Sequence, residues 1–286
     1  MACGRTLDYA RARLSSQNCI FLIPHKKRKS YQKGWHLAHG GLDLENWMNI
    51  GKSLEEILRL QTYPLAVKLV KDESEFPEKT RRPEQKIAVC QALTISRRYG
   101  WTMGITEKDS GCPAVNLAYG WTKLIDEPTM VQFFLGAGYA SDEAAAKTIV
   151  ENLDRLEPGK YSGVVISPLT RTKIVPDVIL VYGNPAQIMR LIQGAMYKEG
   201  KKVKSELAGM AASCTGGIAR TFNTGECQVV IPGNGDRVFA ATYDNEMLFA
   251  IPAAKADDLI VGMRAQRLAK YPIPVVLQMP PPFPGL

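Results

Sequence analysis

The feature that most restricts how this 286-residue chain can fold is a pattern met twice in the same order. An apolar run from Pro64 to Val70 is matched by one from Pro176 to Tyr182. The stretch ending Arg97-Arg98-Tyr99-Gly100 is matched by Tyr197-Lys198-Glu199-Gly200, and Ser110-Gly111-Cys112 by Ala212-Ser213-Cys214. A repeat of long period bears on the architecture before any single element does, because equivalent segments fold as equivalent units. The pattern predicts an α+β fold, one mixed αβ domain made of two related halves at about residues 52–125 and 162–252. Halves packed around a pseudo-twofold axis bring Cys112 and Cys214 to a common pocket. The alternative is two unrelated helix starts, each using a small buried residue.

Local signals fill in the elements. Ser53-Leu54-Glu55-Glu56 has capping-box spacing and predicts a short amphipathic helix. Tyr63 to Val70 reads as a strand buried on both faces and interrupted by Lys68. A helix is expected over 85–99, closed by Gly100, and then a short strand from Trp101 to Ile105. Helices are expected at 128–136 and 142–155, strands at Val164–Ile166 and Asp177–Tyr182, and helices at 185–198 and 203–213. Strands at 228–231, 237–242 and 247–251 follow, with Pro232-Gly233-Asn234-Gly235-Asp236 as the turn between the first two. A last helix is expected over 254–269.

Three segments divide the chain: a basic leader at 1–48, the αβ domain at 49–275, and a proline-rich tail at 276–286. The formal charge of +8 is concentrated in the leader, since five of the eight excess positive charges fall within residues 1–50. The body is therefore close to neutral, which argues against nucleic acid as its partner. The apolar runs fall short of the roughly 20 residues that span a bilayer, and the N-terminal run precedes its basic cluster instead of following it. A cytoplasmic location is the expectation, with the six cysteines reduced. All three histidines, His25, His36 and His39, lie in the leader. If the leader is accessory, the body has no Ser-His-Asp triad, Cys-His pair or His-ligated zinc.

The remaining chemistry rests on thiols and a few charged groups. Pro113 suits the first turn of a helix and makes Cys112 its N-cap, where free amides and the helix dipole favour thiolate. Cys214 stands in a similar Gly/Ser-rich context. Cys90, Cys112, Cys214 and Cys227 together form a candidate thiolate set for an iron–sulfur cluster or another soft metal, although their spacing is irregular and a core role for Cys90 competes. Lys68, Asn234, Asp236 and Arg237 are candidate ligand-binding residues, the last three in a glycine-rich loop able to form an anion nest. Cys112, Cys214 and Lys68 are the candidate catalytic groups. Three functions remain open: binding of a small anionic ligand or thiolate-held cofactor between the halves, a cysteine-dependent or redox enzyme without histidine, and an interaction module using the leader and tail to hold a partner protein.

Tyr63-Pro64-Leu65-Ala66-Val67-Lys68, Cys90-Gln91-Ala92-Leu93, Gly111-Cys112-Pro113, Ser213-Cys214 and Gly233-Asn234-Gly235-Asp236-Arg237 form an ordered set. Together they resemble the domain of unknown function 169 family of bacteria and archaea over about residues 52–275. The resemblance implies that residues 1–48 lie outside the common domain, and it implies no reaction, cofactor or catalytic residue. Some relatives carry a cysteine near the Gly233 turn. Its absence here weakens a four-thiolate site built on that turn.

Overall fold

The computed structural model describes residues 44–121 and 126–266. Most of the leader and all of the proline-rich tail lie outside the described residues. Helix α1 spans Leu44–Leu58 and so begins nine residues before the expected Ser53 start. Trp47, Ile50, Leu54 and Leu58 form one stripe along it, and this continuous apolar face overrides the capping signal. Ser53 instead lies buried in the helix, donating to the Asn49 carbonyl (2.7 Å) and accepting from Arg264 (2.7 Å).

The order continues with β1 (Leu65–Val70), α2 (Val89–Tyr99), β2 (Met103–Thr106) and α3 (Pro113–Ala118). Next come α4 (Glu127–Gly136), α5 (Glu143–Glu151), β3 (Gly163–Pro168), β4 (Val178–Gly183) and α6 (Pro185–Met196). Gly100 ends α2 in the left-handed conformation (φ 74°), as its position predicts. The helix expected over 203–213 does not form. Its place is taken by irregular chain, a left-handed Gly209 (φ 71°), and then an eight-residue π-helix at Ala212–Ala219. Small side chains and two adjacent glycines constrain this backbone weakly, and both the N–H and the hydroxyl of Thr215 share the Ala211 carbonyl (3.1 and 2.6 Å).

The π-helix runs on into α7 (Arg220–Thr224), followed by β5 (Gln228–Val230), α8 (Asn234–Val238), β6 (Met247–Pro252) and α9 (Ala256–Ala265). Helix α8 replaces both the expected turn and the start of the strand expected at 237–242. The carboxylate of Asp236 accepts the Gly233 N–H (2.8 Å) and closes a helical turn that outweighs the β-forming run behind it. Gly233 is required by crowding: a Cβ there would lie 2.7 Å from the Gly209 carbonyl oxygen and 2.9 Å from the Met210 Cα.

The six strands form one antiparallel sheet in the order β2-β3-β1-β4-β6-β5. With its helices it makes an α+β fold. From the centre outward the strands run β1, β3, β2 on one side and β4, β6, β5 on the other. Strand residues alternate between two cores, as a period of two demands. Leu65, Val67, Leu69, Val178 and Leu180 face a layer containing α2, α3 and the π-helix. Ala66, Val70, Ile179 and Val181 face α1, α6 and α9. Each fully buried Val, Leu or Ile contributes roughly 1.5–3 kcal/mol, so burial on both faces anchors the central strands. Helices α4 and α5 build a third, smaller core against α3. The helices ending near Gly100 and Gly200 cover opposite faces of the sheet, so the matched segments do not correspond element for element.

Candidate functional site

Four helix starts meet on one side of the sheet. Cys90 is the second residue of α2, and Cys112 is the N-cap of α3, with Pro113 in the first turn as expected. Ser213 and Cys214 lie in the first turn of the π-helix, and Asp236 in the first turn of α8. The Cys90 thiol points at the Gly235 carbonyl (4.0 Å), tying α2 to α8. Cys214 donates to the Ala211 carbonyl (3.4 Å), while its own carbonyl accepts from the Tyr119 hydroxyl (3.0 Å) at the end of α3. Cys112 packs against both the main core and the core of α4 and α5. Cys214 is buried, whereas Cys90 and Cys112 keep partial exposure.

Asp236 is the electrostatic centre of this junction. It is 4% exposed, and burial raises its pKa even though hydrogen bonds from Ser213 and Gly233 work the other way. Its charge acts on all three thiols. Burial, with help from Asp236 and from Cys112, pushes Cys90 up to about 12. Burial also raises Cys112, against the pull of the Val115 and Ala114 amides, and raises Cys214 well above its ordinary value. The expectation that a helix start would favour thiolate is thus corrected: the amides act as expected, but desolvation and a neighbouring carboxylate outweigh them. These thiols are held protonated.

A second polar string runs behind the thiols. The Tyr182 hydroxyl donates to Ser213 Oγ (3.2 Å), and the Tyr182 ring lies 4.2 Å from the guanidinium carbon of Arg97. Arg97 is fully buried and makes a bidentate pair with Glu246 (2.5 and 3.0 Å). Sequence reasoning did not single out Arg97, Tyr119, Tyr182 or Ser213. A signal for Arg97 was present, since Cys90, Leu93 and Arg97 follow at three- and four-residue spacing and share one helix face.

The other candidates lie elsewhere. Lys68 shares the face of Ala66 and Val70, turned from the thiols, and is paired with Asp177 (2.9 Å). Asp177 also accepts the Leu69 N–H (2.8 Å). Cys227 belongs to the opposite core, where burial raises its thiol to about 12. The proposed set of Cys90, Cys112, Cys214 and Cys227 is therefore not assembled. Among the described residues no group of three or more His, Cys, Asp or Glu side chains is arranged to hold a metal ion. Asn234 is exposed and donates to the Tyr139 hydroxyl (3.1 Å). Arg237 donates to the Tyr243 carbonyl (2.6 Å) and stabilises the charged form of Asp236. No described helix is long and apolar enough to cross a membrane.

The sheet, its two helical layers and the thiol junction define an α+β protein with a polar cluster enclosed beside the central strands. The chain belongs to the domain of unknown function 169 family, described as uncharacterised ArCR, whose model matches residues 53–262. It is similar to the uncharacterized protein MJ0308 of Methanocaldococcus jannaschii, at 26% identity over 220 residues that cover 77% of this chain and 94% of the relative. No solved structure matches.

Proposed function

We propose that the protein binds a small acceptor-bearing ligand, a carboxylate or phosphate, at the junction between two related halves. The mirrored order of strands about the β1–β4 centre supports the halves. It also suggests a different correspondence from the one read along the chain, with the π-helix as the counterpart of α2 and α8 as the counterpart of α3. Cys90 then answers to Cys214, and Cys112 to the Gly233 turn. The observation that carries the reading is the meeting of four helix starts around three thiols and one carboxyl group, because helix starts present N–H donors and partial positive charge.

The protonated Cys112 thiol adds an S–H donor. An incoming anion raises the proton affinity of Asp236 further, turning that carboxyl into another donor, so binding takes up a proton and tightens as pH falls. Cys90 and Cys112, partly exposed, form the mouth.

Thermal unfolding with a panel of small carboxylates and inorganic phosphate, at about pH 6 and about pH 8, tests this. At least one member should raise the melting temperature, more so at the lower pH. The effect should vanish in Cys112→Leu and persist in Cys227→Ala on the opposite face. No shift with any member, or equal loss in both variants, refutes the reading.

A further inference from the structure

Beside the π-helix lies a groove of about 420 Å³ whose lining includes none of the thiols. That volume falls within the range of small-molecule sites. Ala212, Thr215 and Gly216 of the π-helix line part of it, facing Asn152 and Asp154 beyond the end of α5 and Met210. Its rim carries two exposed aliphatic side chains, Leu207 (58%) and Ile231 (42%).

The charge of this groove is one-sided. Asp154 and Glu206 line it, and no lysine or arginine does. Arg220 bonds to both carboxylates, at 3.2 Å to Asp154 and 2.9 and 2.5 Å to Glu206, so one guanidinium faces two acids. Helix α5 ends beside the groove without a basic residue in its last turn, although Arg155 donates to the Val150 carbonyl (2.7 Å). A carbonyl-rich helix end and an unbalanced carboxylate both favour a cation.

We infer that this groove is a second binding site, distinct from the thiol junction, for a primary ammonium ion carried on an apolar body. The ammonium group sits beside Asp154 and donates to Oδ2, the oxygen that Arg220 leaves free, while Glu206, both of whose oxygens Arg220 holds, adds negative charge. The apolar body lies along Met210, Leu207 and Ile231.

Phenethylamine, phenethyl alcohol and phenylpropionate are a matched set of probes: cation, neutral molecule and anion. Binding is read from the isotope-labelled methyl resonance of Met210 in the groove, with Met263, buried in the opposite core, as reference. The amine is expected to move Met210 alone and to bind about tenfold more tightly than the alcohol, with the acid weakest. Glu206→Gln, at an exposed position, should reduce the preference for the amine severalfold. Gly216→Leu should abolish binding without unfolding the protein, because a Cβ at Gly216 meets no atom within 4 Å and its side chain grows into the groove. An unmoved Met210 resonance, an alcohol or acid that binds as tightly as the amine, or binding that survives Gly216→Leu overturns the assignment.

Discussion

Replacing Glu246 by alanine leaves a fully buried guanidinium without its carboxylate partner. The Arg97 side chain is fully buried, and Glu246 is its bidentate partner, with only 14% of its own side chain exposed. Two unit charges about 4 Å apart at an effective dielectric of about 20 attract by about 4 kcal/mol. Removing one member of a buried pair costs about 3–5 kcal/mol, because the survivor stays desolvated and unpaired. The Arg97 Nε already lacks a hydrogen-bond partner, which leaves little slack for the guanidinium to find another acceptor. At about 2–4 °C per kcal/mol for a domain of this size, Glu246→Ala should lower the melting temperature by about 6–20 °C. Urea unfolding of this variant, of Arg97→Met and of the double variant completes a cycle. The double variant should be more stable than Glu246→Ala alone, since no buried charge remains. A loss below about 1 kcal/mol, or a double variant no better than the single, would refute the claim that Glu246 compensates the buried guanidinium of Arg97.

Gly233→Ala should destabilise by about 1–3 kcal/mol, because the added methyl meets backbone atoms of Gly209 and Met210 that cannot rotate away; a melting temperature equal to that of the parent contradicts this. With thiols near 12, Cys90 and Cys227 hold only about one thiolate in ten thousand at about pH 8, so iodoacetamide should label them about a thousandfold more slowly in the native protein than in urea; mass spectrometry of the peptides decides the matter. Asp109 and Glu246 act together in acid. Burial opposes both, but Arg82 holds Asp109 and Arg97 holds Glu246 below their ordinary values of 3.8 and 4.5. Depressed carboxylates stabilise the fold above their unfolded values, so the contribution of these two should be constant above about pH 5 and be lost as pH drops through the folded values; Asp109→Asn should flatten that acid limb, and an unchanged limb argues against it.

How much of this was legible in the sequence depends on which physical effect ruled at each place. Strands β1, β3, β4 and β6 were readable because a central strand buried on both faces needs an unbroken apolar run. Gly100 was readable because a left-handed helix end admits few other residues. Pro113 announced the start of α3 because its ring suits only a first turn. The π-helix left no such mark: its residues are small, and the Thr215 bonds to Ala211 that support it are local contacts that no period reveals. The segment after Gly233 misled for the opposite reason. Val238, Phe239 and Ala240 favour a strand, but the bond from Asp236 to the Gly233 N–H sets the conformation first and leaves Val238 and Phe239 exposed. Burial explains why the thiols were misjudged. Read along the chain, Cys112 has the free amides of a helix start ahead of it, so thiolate is the natural inference. Folded, the chain buries Cys112 and brings Asp236 from 124 positions away to the same helix starts, and desolvation, with the carboxylate adding to it, reverses the sign. A cysteine at a helix start is therefore only half a prediction, because the depth at which the fold buries it decides which protonation state it keeps.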